Sequence, residues 1–153
     1  MSSTPFDAEF FVAGVPVPKG STKPRLVRGK GGKVVAAGVV ADNEDRQRAW
    51  AAEVAKIARE AWHGLDVWYG EVEVITQFVI PVVPPGGRTA RQTAMVRSVG
   101  DGDKLTRCVW DALTGIVYGD DSQVTVWGGS KRLADDGEQP GVRVFVRLLG
   151  DLA

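Results

Sequence analysis

The stretch VGDGDKLTRCVWDALTGIVYGDDSQV, residues 99–124, places aspartates at 101, 103, 111, 120 and 121. Asp101 and Asp103 are separated by one glycine, so in extended or turn-like backbone their side chains point the same way. If the following residues are helical, at about 100° per residue, Asp103, Arg107 and Asp111 share an arc of roughly 80°, with Leu105 and Ala112 on the far side. Taken singly, each feature has an ordinary explanation. Asp103 suits the start of a helix, where free N–H groups favour a carboxylate, and Gly-Asp-Asp-Ser is good turn chemistry. Taken together, the helix and the return of the chain should carry Asp120 and Asp121 back toward Asp101 and Asp103. Carboxylates brought that close repel, and either a proton or a cation must relieve them.

The rest of the composition narrows the choice of cation. Cys108 is the lone cysteine and His63 the lone histidine. That excludes an internal disulfide, a Cys-rich zinc site and a His-dependent catalytic triad. Oxygen-only coordination favours Mg²⁺ or Mn²⁺. The formal net charge is +0, from 19 basic and 19 acidic residues, yet the charges are segregated. Residues 19–33 carry Lys19, Lys23, Arg25, Arg28, Lys30 and Lys33 with no acid, and residues 74–100 carry Arg88, Arg91 and Arg97, again with no acid. One such run alone reads as solvated surface. Two runs bracketing a carboxylate cluster suit a polyanionic substrate whose phosphate oxygens complete a metal shell, the makeup of a metal-dependent nuclease.

Elements must hold these groups in place. With 153 residues, 44% of them hydrophobic, and five Trp, the chain suits one core, and a single domain over 1–153 is expected. No apolar run approaches about 18 residues and the N-terminus lacks the order of a signal peptide, so a soluble, cytoplasmic protein without membrane contact is expected. AEFFVAGVPV reads as an opening strand ended by Pro16 and Pro18. The spacing predicts a helix over 42–62, capped by Asp42 or Asn43, whose stripe Trp50, Val54, Ile57, Ala58 and Ala61 belongs against a sheet. EVEVITQFVI is a strand, and DKLTRCVWDALTG is a second helix stopping at Gly115. QVTVWGGSKRL and VRVFVRLL are strands, expected to pair as a hairpin across ADDGEQPG. The expected fold is α/β (α+β): a mixed sheet with two main helices packed mainly on one face. Trp62, Trp68 and Tyr69 read as core, with an apolar contact patch as the alternative.

The 99–124 segment resembles the signature of RusA-type Holliday junction resolvases. There an Asp-x-Asp-Asn element leads into a helix with a Lys and Asp-Ala-Leu, followed by Asp-Asp-x-Gln-Val. FFVAGVPVPKGSTKPR is similar to the Pro-rich, basic N-terminal element of these proteins. The resemblance implies that Asp101, Asp103 and Asp121 are the metal-binding catalytic aspartates for Mg²⁺, with Mn²⁺ as a substitute, and that Asp120 is the supporting carboxylate. Asp111 falls on Asp-Ala-Leu, with either a place near the site or a helix-to-loop hydrogen bond. Two positions depart from the pattern: Lys104 stands where the family has Asn, and Arg107 where it has Lys. Arg keeps the charge and binds phosphate but does not readily lose a proton.

The implied activity is paired hydrolysis of a four-way DNA junction by a homodimer in a bacterial or phage-infected cell. Arg107 would act at the scissile phosphate, and Lys19, Lys23, Arg25, Arg28, Arg88, Arg91 and Lys104 would bind DNA. Two alternatives share the same residues: a nuclease for forks, flaps or other branched DNA, and an inactive junction-binding protein. A calcium-stabilised domain ranks last, because the segment lacks the EF-hand ligand order.

Overall fold

The computed structural model describes residues 6–20, 22–28, 30–32, 34–41, 44–81 and 100–150, with the backbone alone for 22–28, 32 and 34–41. Strict alternation sets the centre of the fold. In the strand Glu71–Ile80, Val72, Val74, Thr76, Phe78 and Ile80 are buried, while Glu73, Ile75 and Gln77 turn to the other face. The strand Gly141–Leu149 does the same with Val142, Val144 and Val146, all fully buried. In chain order the strands are β1 (Ala8–Ala13), β2 (Thr22–Arg28), β3 (Val34–Ala41), β4 (Glu71–Ile80), β5 (Val124–Leu133) and β6 (Gly141–Leu149). The helices are α1 (Glu44–Ala61) and α2 (Gly102–Leu113).

Four strands form a mixed sheet in the order β1-β6-β4-β5, with β4 and β5 parallel and the other neighbours antiparallel. The expected α+β architecture, a mixed sheet with two helices packed on it, is the one observed. α1 buries Trp50, Val54 and Ala58 against β1 and α2. Ala61 lies at the exposed end of the predicted stripe, and Trp62 takes the buried position beyond it. Candidate caps Asp42 and Asn43 lie outside the described residues. The opposite face of the sheet is solvated, with Arg147 on Glu73, Arg143 on Glu9, and Arg143 over the Phe11 ring.

Three local expectations are corrected. β5 and β6 do not pair as a hairpin: β4 lies between them, and residues 134–140 pass over its end, where the Ala134 N–H donates to Ile80 O at 2.8 Å. The reason is burial. β4 and β6 bury the most residues of the four strands and take the two central positions, whereas β5, with Gly128, Gly129 and exposed polar residues, takes an edge. The opening strand ends at Ala13, before the prolines, because Gly14 turns the chain at φ 138°. Part of the basic stretch expected to be a loop forms β2, which pairs antiparallel with β3 as a separate two-stranded sheet around a turn with Gly31 at φ 84°. The VVAAGVVA run of β3 supplies the β-branched content that favours this pairing.

Candidate active site

α2 carries most of the candidate residues, and its ends are held from three directions. Asp101 is the N-cap residue in extended backbone, but its side chain makes no capping hydrogen bond and stays exposed. Gly100 before it has φ +99°, and a Cβ there would stand 2.8 Å from Pro18 Cβ, so the N-terminal segment lies tight against the helix start. The Lys19 N–H donates to Lys104 O at 2.9 Å, and the Lys131 ammonium donates to Gly100 O at 3.0 Å. The expected amphipathic split of α2 holds. Leu105, Cys108, Val109 and Leu113 are buried, and Asp103, Arg107 and Asp111 are exposed. The helix ends at Leu113, with the Thr114 N–H donating to Asp111 O and Gly115 at φ 86° just beyond.

Asp120 and Asp121 are placed by a capping box. Asp120 precedes a short 3-10 turn, Asp121–Gln123, and its Oδ1 accepts from the Ser122 N–H at 2.8 Å. Gln123 Oε1 accepts from the N–H groups of Gly119 and Asp120, both at 2.9 Å. Its amide nitrogen donates to the carbonyls of Trp68 and Gly70, which anchors the turn beside β4. Asp120 thus serves as ordinary turn chemistry, and the hydrogen bonds from Ser122 hold its carboxyl below the usual range.

Asp121 behaves differently. Its carboxyl is pushed up, first by burial, then by the negative charges of Asp111 and Asp120, with Lys19 opposing. Lys19 Nζ lies 2.7 Å from Asp111 Oδ2. The structure therefore gathers Asp111, Asp120, Asp121 and Lys19 at the C-terminal end of α2. Asp101 and Asp103 stand at its N-terminal end, Asp103 about 12 Å along the axis from Asp111, so Asp120 and Asp121 return to Asp111 and not, as expected, to Asp101 and Asp103. Among the described residues no three carboxylates stand close enough to enclose a metal ion. The donor chemistry nevertheless fits a hard divalent cation. All donors are carboxylate oxygens, and like charges already raise Asp121, a strain that a cation relieves.

Cys108 lies under this cluster, and its thiol is raised to about 11 by burial and by Asp111, so it is not a reactive thiolate. Tyr118 is fully buried, donates to Trp110 O at 2.8 Å, and its hydroxyl is held well above the usual phenol range by burial and by Asp121, Asp111 and Asp120.

The other exposed flank of α2 faces β5. Asp103, Thr106, Arg107 and Trp110 line one wall of a groove of about 540 Å³, whose other wall includes Trp127, Gly129 and Lys131, with Thr76 and Phe78 from β4. Trp110 and Trp127 meet edge to face at 6.0 Å. The sequence held no periodic signal for this groove, because Trp127 and Lys131 sit on a strand distant in sequence from Arg107. The side chains of Lys23, Arg25 and Arg28, and all of Arg88 and Arg91, lie outside the described residues. Lys104 is half-buried in the first turn of α2.

A sheet whose β4-α2-β5 crossover lines up carboxylates and cations defines a class of α+β proteins suited to phosphate chemistry. The family model for Endodeoxyribonuclease RusA matches residues 15–147, and the chain belongs to this family. It is therefore an enzyme of the nuclease class, in a family of Holliday junction resolvases whose members are in general metal-dependent. No curated protein matches the chain closely enough to count as a relative. No helix among the described residues is long and apolar enough to cross a membrane.

Proposed function

We infer that the whole chain, residues 1–153, acts as one Mg²⁺-dependent, structure-selective DNA endonuclease that resolves four-way junctions as a homodimer. The observation that carries this reading is the family match over 15–147, which spans the intact aspartate series 101, 103, 120 and 121. Asp101 and Asp103 at the N-terminal end of α2 and Asp121 at its C-terminal end would hold one or two Mg²⁺ ions, or Mn²⁺ in their place. When bound, the ion supplies Lewis-acid stabilisation of charge on the phosphate and activates water for attack.

The chain's own groups do the rest. Arg107 stands one turn along α2 from Asp103, so its guanidinium is within reach of a nonbridging phosphate oxygen held at the aspartates. Asp120 holds the turn that presents Asp121. Lys19, paired with Asp111 and partly exposed, would turn to a backbone phosphate. Lys23, Arg25, Arg28, Arg88, Arg91 and Lys104 would bind backbone phosphates of the junction. Paired cuts in a two-fold junction call for two sites related by a two-fold axis, which is the reason for the dimer.

The test is incubation with end-labelled four-way junctions in Mg²⁺ and then Mn²⁺, with forks, flaps and linear duplex beside them. Symmetric nicks near the branch point, dependent on the metal, are expected. Preferential cutting of forks or flaps would move the substrate to other branched DNA, and metal-independent binding without cleavage would reduce the protein to a junction binder.

A further inference from the structure

Phosphodiester hydrolysis uses carboxylates and cations, and it has no need of a hollow walled by indoles beside them. The groove between α2 and β5 is such a hollow, and its origin is visible in the sheet register. On the helix-covered face, β4 and β5 place Val74 beside Trp127, Thr76 beside Gly129 and Phe78 beside Lys131. The middle pair is small: a Cβ at Gly129 would stand 2.3 Å from Thr76 O and 2.9 Å from its hydroxyl. No side chain fills that position, and space of about 540 Å³ opens between Trp127 and α2. That volume lies within the range of small-molecule sites.

Two further observations point to an occupant. Trp127 is 63% exposed although it belongs to the face that elsewhere forms the core. The groove also holds the cations Arg107 and Lys131 next to its aromatic walls. A flat aromatic surface and adjacent positive charge together match a nucleotide: base on indole, phosphate on the cations.

We propose that this groove is a base-stacking subsite, in which Trp127 is the platform for one nucleobase released from the stack at the branch point of the DNA. The proposal rests on the endonuclease reading above and deepens it by naming what selects the substrate. In continuous duplex each base is already stacked on both faces, and extracting one costs a few kcal/mol, least where pairing is already broken. A stacking platform in the groove that Arg107 also lines therefore favours branched over linear DNA. A second copy of the chain could instead cover β5, an edge strand with Val126 and Trp127 exposed. It is disfavoured because it would desolvate Asp103, Arg107 and Lys131 together, whereas interface centres are depleted of charge.

Binding of the full chain to three DNAs without divalent metal tests this: an intact four-way junction, the same junction with abasic sites at the branch nucleotides, and linear duplex. The wild type should bind the intact junction roughly 10- to 100-fold more tightly than the abasic one. Trp127→Ala should lose about that factor on the intact junction and little on the other two, and Trp127→Phe should recover most of it. Tryptophan emission should be quenched by the intact junction in the wild type, and much less so in Trp127→Phe. A wild type indifferent to the abasic sites overturns the subsite. So does a Trp127→Ala variant that weakens all three DNAs alike while light scattering shows a lost dimer, which assigns the groove to a second copy. If the wild type neither prefers junction to duplex nor cuts it with Mg²⁺, the endonuclease reading falls and the subsite with it. Metal-dependent junction cleavage without base coupling removes the subsite alone.

Discussion

Among the three candidate metal ligands, Asp121 is the half-buried one. It is raised by burial and by two neighbouring aspartates, and Lys19 offsets only part of that. Asp101 and Asp103 differ in being exposed. If all three hold the metal, Asp101→Asn, Asp103→Asn and Asp121→Asn should each abolish cleavage and leave junction binding near normal, since removing negative charge does not weaken phosphate attraction. Gel-based binding and cleavage on the same preparations read both, and full cleavage by all three variants would remove the assignment. Arg107 gives a finer expectation. As a fixed positive charge it matters by its charge and not by its proton, so Arg107→Lys should stay within about tenfold of wild type, roughly 1.4 kcal/mol of barrier. Arg107→Ala should lose much more, and in single-turnover rate instead of affinity. A fully active alanine variant would make Arg107 a surface residue and shift attention to Lys104.

At the scale of elements, the site depends on how closely β5 lies against β4. Gly129 is the point of closest approach, 2.3 Å from an added Cβ to Thr76 O. Gly129→Ala should therefore cost about 1–3 kcal/mol through forced displacement of the strand, seen as a lower urea midpoint with an unchanged slope. The segment that carries the chain from β5 to β6 is tied by Arg132 to Glu138, with both guanidinium nitrogens at 2.6 Å. Those bonds, and then the Asp135 N–H, hold the Glu138 carboxyl down to about 2, whereas an unfolded Glu titrates near about 4.3. The folded state thus binds fewer protons in that interval. The stabilisation is complete above the unfolded value and is lost as pH falls toward about 2. Glu138→Gln should lower the thermal midpoint at pH 7 and flatten the acid-side fall between these limits. An acid limb as steep as that of the wild type would show that other carboxylates carry it.

For the whole molecule the question is symmetry. One chain offers one set of aspartates, and coordinated cutting of a junction needs two. Light scattering of a dilute sample, with and without junction, should report a dimer that binds one junction. A monomer bound one-to-one would count against coordinated resolution and favour fork or flap substrates. The solvated face of the sheet, with its Arg147 to Glu73 and Arg143 to Glu9 pairs, is already dressed for water. The exposed apolar residues Val126 and Trp127 lie instead on β5.

Local pattern was enough for much of this protein. Alternation in EVEVITQFVI and VRVFVRLL, and the 3.6-residue stripe of α1, each reflect one side chain after another meeting core or water, so both strands and both helices were readable without knowledge of any partner. The polar face of α2 was readable for the same reason, and the aspartate signature identified the family from residue types alone. Pairing was not readable. Turn chemistry at 134–140 suits a hairpin as well as it suits a crossing, and only competition for the buried centre puts β4 between β5 and β6. Nor was the cluster of Asp111 with Asp121 and Lys19, or the groove between Trp110 and Trp127. Each joins residues from separate elements, and their proximity follows from how the sheet and α2 pack, a property of the folded whole that no window of sequence contains.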